Sequence, residues 1–128
     1  MIKVKDKIII VEGPQGVGKT TFTNYLREKI PATDLYRLTG IKDKEETGLN
    51  KIRTKYNKLL EYMANCKDVN LLFDRNFFSE EVYGRLGYKK YSFTEVYEEL
   101  LAKLDKLDFD IYLIVLYLED TSEYEKRL

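Results

Sequence analysis

Residues 13–20 constrain the fold more than any other stretch of this chain. They read Gly-Pro-Gln-Gly-Val-Gly-Lys-Thr, follow the apolar run at residues 8–11, and precede apolar residues at helical spacing. The pattern therefore predicts a strand, a glycine-rich loop and a helix. Glycines let such a loop curl until successive backbone N–H groups point at one anion, and the positive end of the helix dipole adds to the attraction. The stretch predicts a phosphate-binding loop.

This loop predicts a nucleotide site with ATP and Mg²⁺ as cofactors. We expect Lys19 to contact the β- and γ-phosphates and Thr20 to offer its hydroxyl to Mg²⁺. A glycine turn followed by an unrelated lysine is the alternative, and the flanking strand and helix patterns argue against it. The residues expected to contact the nucleotide are Gly13, Pro14, Gln15, Gly16, Val17, Gly18, Lys19, Thr20 and Thr21.

Composition narrows the chemistry and the partners. Lysine plus arginine and aspartate plus glutamate each number 22, so no net field favours nucleic acid or an anionic membrane. The chain has no histidine and one cysteine, Cys66, which excludes histidine acid–base chemistry and an intrachain disulfide. The 128 residues predict one domain, and with no long apolar run we expect a cytoplasmic protein. The sequence leaves open whether the protein forms a homodimer.

Strand-like and helix-like segments alternate along the rest of the chain. A polar segment at 39–48 predicts a surface loop, and Ser92 with Glu95 predicts a capping box. Ser122 with Glu125 predicts another capped helix. The predicted strands are 34–38, 69–73 and 109–118, and the predicted helices are 49–65, 79–86 and 92–104. This alternation predicts an α/β fold with a parallel sheet, in which ligands bind beyond the carboxyl ends of the strands.

Several polar residues fall at that edge of the predicted sheet. They are Glu12, Gly13, Asp74, Arg75 and Glu119, with Arg37 close by. Asp74 follows a buried strand, where it would hold Mg²⁺ together with Thr20 or, alternatively, cap the next turn. The position of Arg75 at this edge predicts that it binds an anion, and an internal salt bridge is the alternative.

Two segments resemble a known enzyme family. Residues 74–83 resemble the D-R-[YF]-x-x-S-x-x-A-[YF] segment of thymidylate kinases and, more loosely, the E-R-S-x-x-S segment of deoxynucleoside kinases. Asp74, Arg75, Ser79 and Tyr83 match, whereas Asn76 and Val82 depart. Residues 11–21 are similar to the E-G-x-x-G-x-G-K-T-T opening of both groups. The resemblance implies a three-layer P-loop fold with a parallel sheet between helices.

The resemblance also implies roles for single residues. Glu12 matches the acid that serves deoxynucleoside kinases as the base for the acceptor hydroxyl. Arg53 matches an acceptor-binding arginine of thymidylate kinases, and Arg37 stands where they carry R-E-P-G, although the proline is absent. In that family an arginine-bearing lid and a last strand follow the fourth strand. We therefore expect this sequence to be truncated at its C-terminus, with Arg127 as a candidate first lid arginine.

These observations predict transfer of the γ-phosphoryl group of ATP to a deoxynucleoside monophosphate. The alternatives are a deoxynucleoside kinase and a nucleotide-binding module without catalysis. The expected catalytic residues are Lys19, Arg75, Glu12 and Asp74. The expected substrate-binding residues are Arg37, Arg53, Arg75, Tyr56, Phe78 and Tyr83. The aromatic residues among them have core packing as an alternative role.

Overall fold

The computed structural model describes residues 4–14, 17–39, 44–87 and 89–117. Its strands are β1 (Lys7–Glu12), β2 (Thr33–Arg37), β3 (Asn70–Asp74) and β4 (Asp110–Val115). Its helices are α1 (Lys19–Lys29), α2 (Glu46–Ala64), α3 (Phe78–Arg85) and α4 (Thr94–Asp105). The strands form one parallel sheet in the order β2-β3-β1-β4. The α/β fold predicted from the alternation, a parallel sheet with flanking helices, is confirmed.

Backbone contacts divide the described residues into two compact units. The sheet unit comprises the described residues of 4–38, 68–76 and 109–117, and it holds all four strands and α1. The helical unit comprises the described residues of 39–67 and 77–108, and it holds α2, α3 and α4. One domain over residues 1–128 stays a prediction.

The central strands of the sheet unit are buried on both faces. Ile8, Ile10, Leu71 and Phe73 are fully buried, and their neighbours on the opposite face, Ile9, Val11 and Leu72, are also buried. On that face an apolar cluster is built from residues of all four strands, α1 and their ends: Ile9, Val11, Phe22, Leu26, Ile30, Leu35, Leu72, Ile114 and Leu116. A continuous apolar run is what a strand covered on both faces requires, so the buried strand predicted at 69–73 is confirmed, with observed bounds Asn70–Asp74.

Strand β4 lies at one end of the sheet order and is more exposed than β1 and β3. It pairs with β1, and Tyr112, Leu113 and Val115 are each about half exposed or more. The strand spans Asp110–Val115, which is shorter than the predicted 109–118, and Leu118 lies outside the described residues. The later capped helix expected from Ser122 and Glu125 also lies outside them.

The helical unit has the buried stripe that its sequence predicts. Along α2 the buried apolar residues Ile52, Tyr56, Leu60 and Met63 recur every three or four positions, which places them on one face. The stripe on α4 consists of Val96, Leu100 and Leu104. No helix among the described ranges is long and apolar enough to cross a membrane.

The capping box predicted from Ser92 and Glu95 is wrong. Helix α4 begins at Thr94, its N-cap is Phe93, and no side chain caps the first turn. Phe93 is buried and already has right-handed helical dihedral angles, so packing of the ring sets the start of this helix. The Thr94 hydroxyl instead donates a hydrogen bond to Glu81 Oε1, at 3.0 Å.

Candidate functional site

The glycine-rich loop joins β1 to α1, and two of its glycines are required by the backbone. A Cβ atom at Gly13 would lie 2.7 Å from the carbonyl oxygen of Leu116, so any larger residue would force the backbone to shift. Gly18 is the N-cap of α1 and has a left-handed φ of 96°, which glycine adopts without steric strain. The central loop residues Gln15 and Gly16 lie outside the described residues.

Lys19 starts α1 and points back toward the loop. Its Nζ atom donates a hydrogen bond to the carbonyl oxygen of Gly13 at 2.6 Å. Burial lowers the pKa of Lys19 below its ordinary value, and the Arg75 guanidinium lowers it further, whereas Asp74 and Glu12 raise it. These charges act on Lys19 from within the sheet unit. We call Glu12, Lys19, Arg37, Asp74 and Arg75 the edge cluster.

Strand register explains how the edge cluster assembles. Asp74 is level with Val11 on β1 and with Arg37 on β2, at the carboxyl ends of parallel strands. Side chains alternate along a strand, so Glu12 projects from the opposite face to Val11 and Asp74. Glu12 is 7% exposed. The register therefore brings Asp74 and Arg37 together on one face at the carboxyl edge of the sheet, with Glu12 at the same edge on the other face.

Asp74 is paired with Arg37. The distance from Arg37 Nε to Asp74 Oδ2 is 3.5 Å, and the Asp74 side chain is 8% exposed. Arg37 Nη2 also donates a hydrogen bond to Asn24 Oδ1 on α1, at 2.6 Å. The guanidinium thus lies between a helix side chain and a strand-end carboxylate. Sequence reasoning missed Asn24, because no local signal relates a helix amide to an arginine thirteen residues later.

Arg75 adopts a backbone conformation that is rare for a residue with a side chain. Its φ is 76°, in the left-handed region, and its N–H donates a hydrogen bond to the Val11 carbonyl at 3.0 Å. This conformation costs about 1–2 kcal/mol in a non-glycine residue. Strain of this kind clusters at functional sites, where surrounding contacts hold it in place. The turn after β3 is therefore held in a strained form beside Lys19.

The oxygen donors near the loop suit a hard cation. Thr20 is exposed at the start of α1, and Asp74 supplies a carboxylate at the end of β3. Within the described ranges, no three histidine, cysteine, aspartate or glutamate residues form a group that could hold a metal ion alone. Mg²⁺ usually binds proteins through one or two carboxylates and keeps waters or phosphate oxygens as its other ligands. Thr20 and Asp74 fit that requirement.

The predicted acceptor-binding residues Arg53, Tyr56 and Phe78 belong to the helical unit, and each has contacts there. Arg53 Nη2 lies 3.0 Å from Glu99 Oε2. Tyr56 is 2% exposed and meets the Phe77 ring edge to face, with centroids 6.0 Å apart. Phe78 stacks on Phe77 at 4.6 Å. The side chain of Tyr83, and residues Glu119 and Arg127, lie outside the described residues.

Known proteins with this fold include nucleotide and nucleoside kinases. The YorR protein from Bacillus subtilis, in complex with phosphorylated GDP, has a TM-score of 0.69 and 24% identity; the match covers 94% of this chain and 64% of YorR. Thymidylate kinase from Candida albicans has a TM-score of 0.67 and 16% identity, covering 98% of this chain and 68% of the enzyme. Deoxyadenosine kinase from M. mycoides, with bound dATP, has a TM-score of 0.61 and 18% identity over 94% of this chain and 68% of that enzyme.

These identities are all below 25%, so the likeness concerns the fold. No protein-family model matches the sequence, and no curated protein matches it. The chain spans about two thirds of the length of each of these three proteins. What the chain shares with them is the α/β fold, with its parallel sheet and flanking helices.

Proposed function

We propose that this chain is the nucleotide-binding part of a kinase that transfers the γ-phosphoryl group of ATP to a deoxynucleoside monophosphate. The observation that carries the proposal is the position of Lys19. Its ammonium group donates a hydrogen bond to the carbonyl oxygen of Gly13 and interacts electrostatically with Glu12, Asp74 and Arg75. A lysine at a glycine loop, with acids and an arginine around it, matches the needs of a polyphosphate and its counter-ions.

On the donor side, this chain's residues bind and orient the phosphates. The Lys19 ammonium exchanges its hydrogen bond to Gly13 for phosphate oxygens, and the exchange is favourable because a phosphate carries full negative charge. Burial and Arg75 disfavour the charged form of Lys19, and a bound phosphate would offset that cost. Thr20 and Asp74 would hold Mg²⁺, which supplies charge neutralisation of the transferred group when bound.

On the acceptor side, the charge of the acceptor distinguishes two reactions. A nucleoside monophosphate brings about two negative charges, and Arg37, Arg53 and Arg75 are the arginines assigned to hold it. A nucleoside brings none, and its 5′-hydroxyl needs a base, for which Glu12 is the candidate. Both arginines of the edge cluster, Arg37 and Arg75, favour the monophosphate. The burial of Glu12 beside Lys19 keeps the nucleoside kinase as the second candidate.

The test is a screen of acceptors with ATP, using the longest natural chain that contains these residues. We expect ADP formation with deoxythymidine monophosphate, and a KM raised by about 10- to 150-fold in Arg75→Gln, which corresponds to lost charge-assisted hydrogen bonds of roughly 1.5–3 kcal/mol. Arg27→Gln serves as the control, since Arg27 is exposed in the last turn of α1.

The same screen identifies the alternatives. Phosphorylation of free deoxynucleosides alone, with a kcat lowered by about 10²- to 10⁴-fold in Glu12→Gln, would replace the proposal with a deoxynucleoside kinase. Nucleotide binding that depends on Lys19 without turnover on any acceptor would indicate a binding module. Absence of nucleotide binding would reject the site itself.

A further inference from the structure

We propose that Arg37 is the counter-ion of Asp74 in the metal-free protein and that Mg²⁺ and Arg37 compete for this carboxylate. Arg37 thereby sets the Mg²⁺ affinity of the site. The inference rests on the proposed function, in which Asp74 holds Mg²⁺. It assigns Arg37 a positioning role on the donor side, in addition to the acceptor role that the sequence suggests.

The geometry places the two charges in direct contact. Arg37 Nε lies 3.5 Å from Asp74 Oδ2, and the two residues are level in the parallel ladder of β2 and β3. The N–H of Leu38 also donates a hydrogen bond to the Asp74 carbonyl, at 3.4 Å. The backbone of β2 therefore continues beside Asp74, so the ion pair follows from the register of the sheet.

Asn24 fixes the orientation of the guanidinium. Its side-chain oxygen accepts a hydrogen bond of 2.6 Å from Arg37 Nη2, which holds Arg37 by an atom other than the one facing Asp74. A long arginine side chain loses conformational freedom when it forms an ion pair, and an anchor on a neighbouring helix reduces that loss. The hydrogen bond to Asn24 on α1 therefore holds Arg37 in position for its ion pair with Asp74.

Little room is left at Asp74 for a second cation. Its side chain is 8% exposed, and the Arg37 guanidinium lies against its Oδ2 atom. Two like charges at one carboxylate repel each other, and Lys19 and Arg75 already add positive charge to the cluster. Mg²⁺ and Arg37 would therefore compete for the charge of this carboxylate, and most directly for its Oδ2 atom.

The experiment titrates Mg²⁺ into the protein with a fixed concentration of a fluorescent ADP analogue and records the Mg²⁺ midpoint. Arg37→Met should lower this midpoint by about two- to fivefold, the scale of a partly exposed ion pair. Asn24→Ala should shift it in the same direction by less. Arg27→Met removes an equal charge from the exposed end of α1 and should leave the midpoint unchanged.

Repeating the titration in a variant without the Asp74 carboxylate distinguishes direct contact between Arg37 and Asp74 from a general effect of the Arg37 charge. In an Asp74→Asn protein, adding Arg37→Met should no longer change the midpoint, because the shared carboxylate is gone. An equal shift in both backgrounds, or none in the wild-type background, would overturn the inference. Failure of the proposed function has a different signature: ADP binding would then be the same in Lys19→Met as in the wild type, whatever Mg²⁺ does.

Discussion

The edge cluster of the sheet unit and the predicted acceptor residues of the helical unit differ in how their side chains are used. In the edge cluster, charged groups of both signs act on Lys19, and Arg75 holds a strained backbone. In the helical unit, Arg53 pairs with Glu99, while Tyr56 and Phe78 pack against Phe77. In the sheet unit, charged side chains and a strained backbone lie next to the glycine-rich loop. In the helical unit, the predicted acceptor residues contact other residues of the same unit.

The difference indicates which residues carry function at the expense of stability. A lysine whose pKa is lowered by burial and by a neighbouring arginine is held in a form that the fold alone does not favour. A tyrosine buried against another aromatic ring stabilises the fold whether or not a ligand is present. Substitutions should therefore affect binding more than stability in the edge cluster, and stability more than binding at Tyr56 and Phe78 of the helical unit.

The largest effect on stability is expected for Tyr56→Ala. Removing a buried aromatic side chain leaves a cavity and typically lowers the free energy of unfolding by about 3–5 kcal/mol. Tyr62→Ala, on the same helix but 48% exposed, is the matched control and should change it by less than about 1 kcal/mol. Urea unfolding measures both. If both variants lose the same free energy of unfolding, burial does not make Tyr56 more important for stability than Tyr62.

Lys19→Met should show the opposite behaviour. Losing a charge-assisted contact to phosphate should weaken ADP binding by about 10- to 150-fold, or roughly 1.5–3 kcal/mol. The free energy of unfolding should not fall by more than about 1 kcal/mol, because burial already disfavours the charged lysine. Lys29→Met, at the far end of α1, is the control for both measurements. A strongly destabilised Lys19→Met would make this lysine a structural residue.

Strain at Arg75 can be measured by comparing Arg75→Gly with Arg75→Ala. Both variants lose the guanidinium, so their difference reports the left-handed backbone, with φ at 76°. Glycine adopts this conformation freely, so Arg75→Gly should be more stable than Arg75→Ala by about 1–2 kcal/mol. Both should weaken nucleotide binding. If the glycine variant is the less stable of the two, the turn after β3 carries no strain.

The sequence predicts the fold better than it predicts the contacts within the site. The strand, glycine loop and helix at residues 7–29 and the buried strand β3 follow from local patterns of glycines and apolar residues, so these elements could be predicted. The pairing of Arg37 with Asp74 and Asn24 depends on how three separate elements meet, which no local pattern encodes. The start of α4 was missed because burial of Phe93 prevailed over a hydrogen-bonding motif.

The smallest effect is expected for the ion pair of Arg53 with Glu99. Their closest atoms are 3.0 Å apart, but the Arg53 side chain is 55% exposed, so water and salt weaken the attraction. A double-mutant cycle with Arg53→Gln and Glu99→Gln should give a coupling free energy of about 0.2–1 kcal/mol that decreases with added salt. Such a weak pair lets Arg53 exchange Glu99 for a phosphate at little loss of stability, as the proposed acceptor role requires. A coupling well above this range would make Arg53 part of the helical framework and would remove it from the acceptor residues.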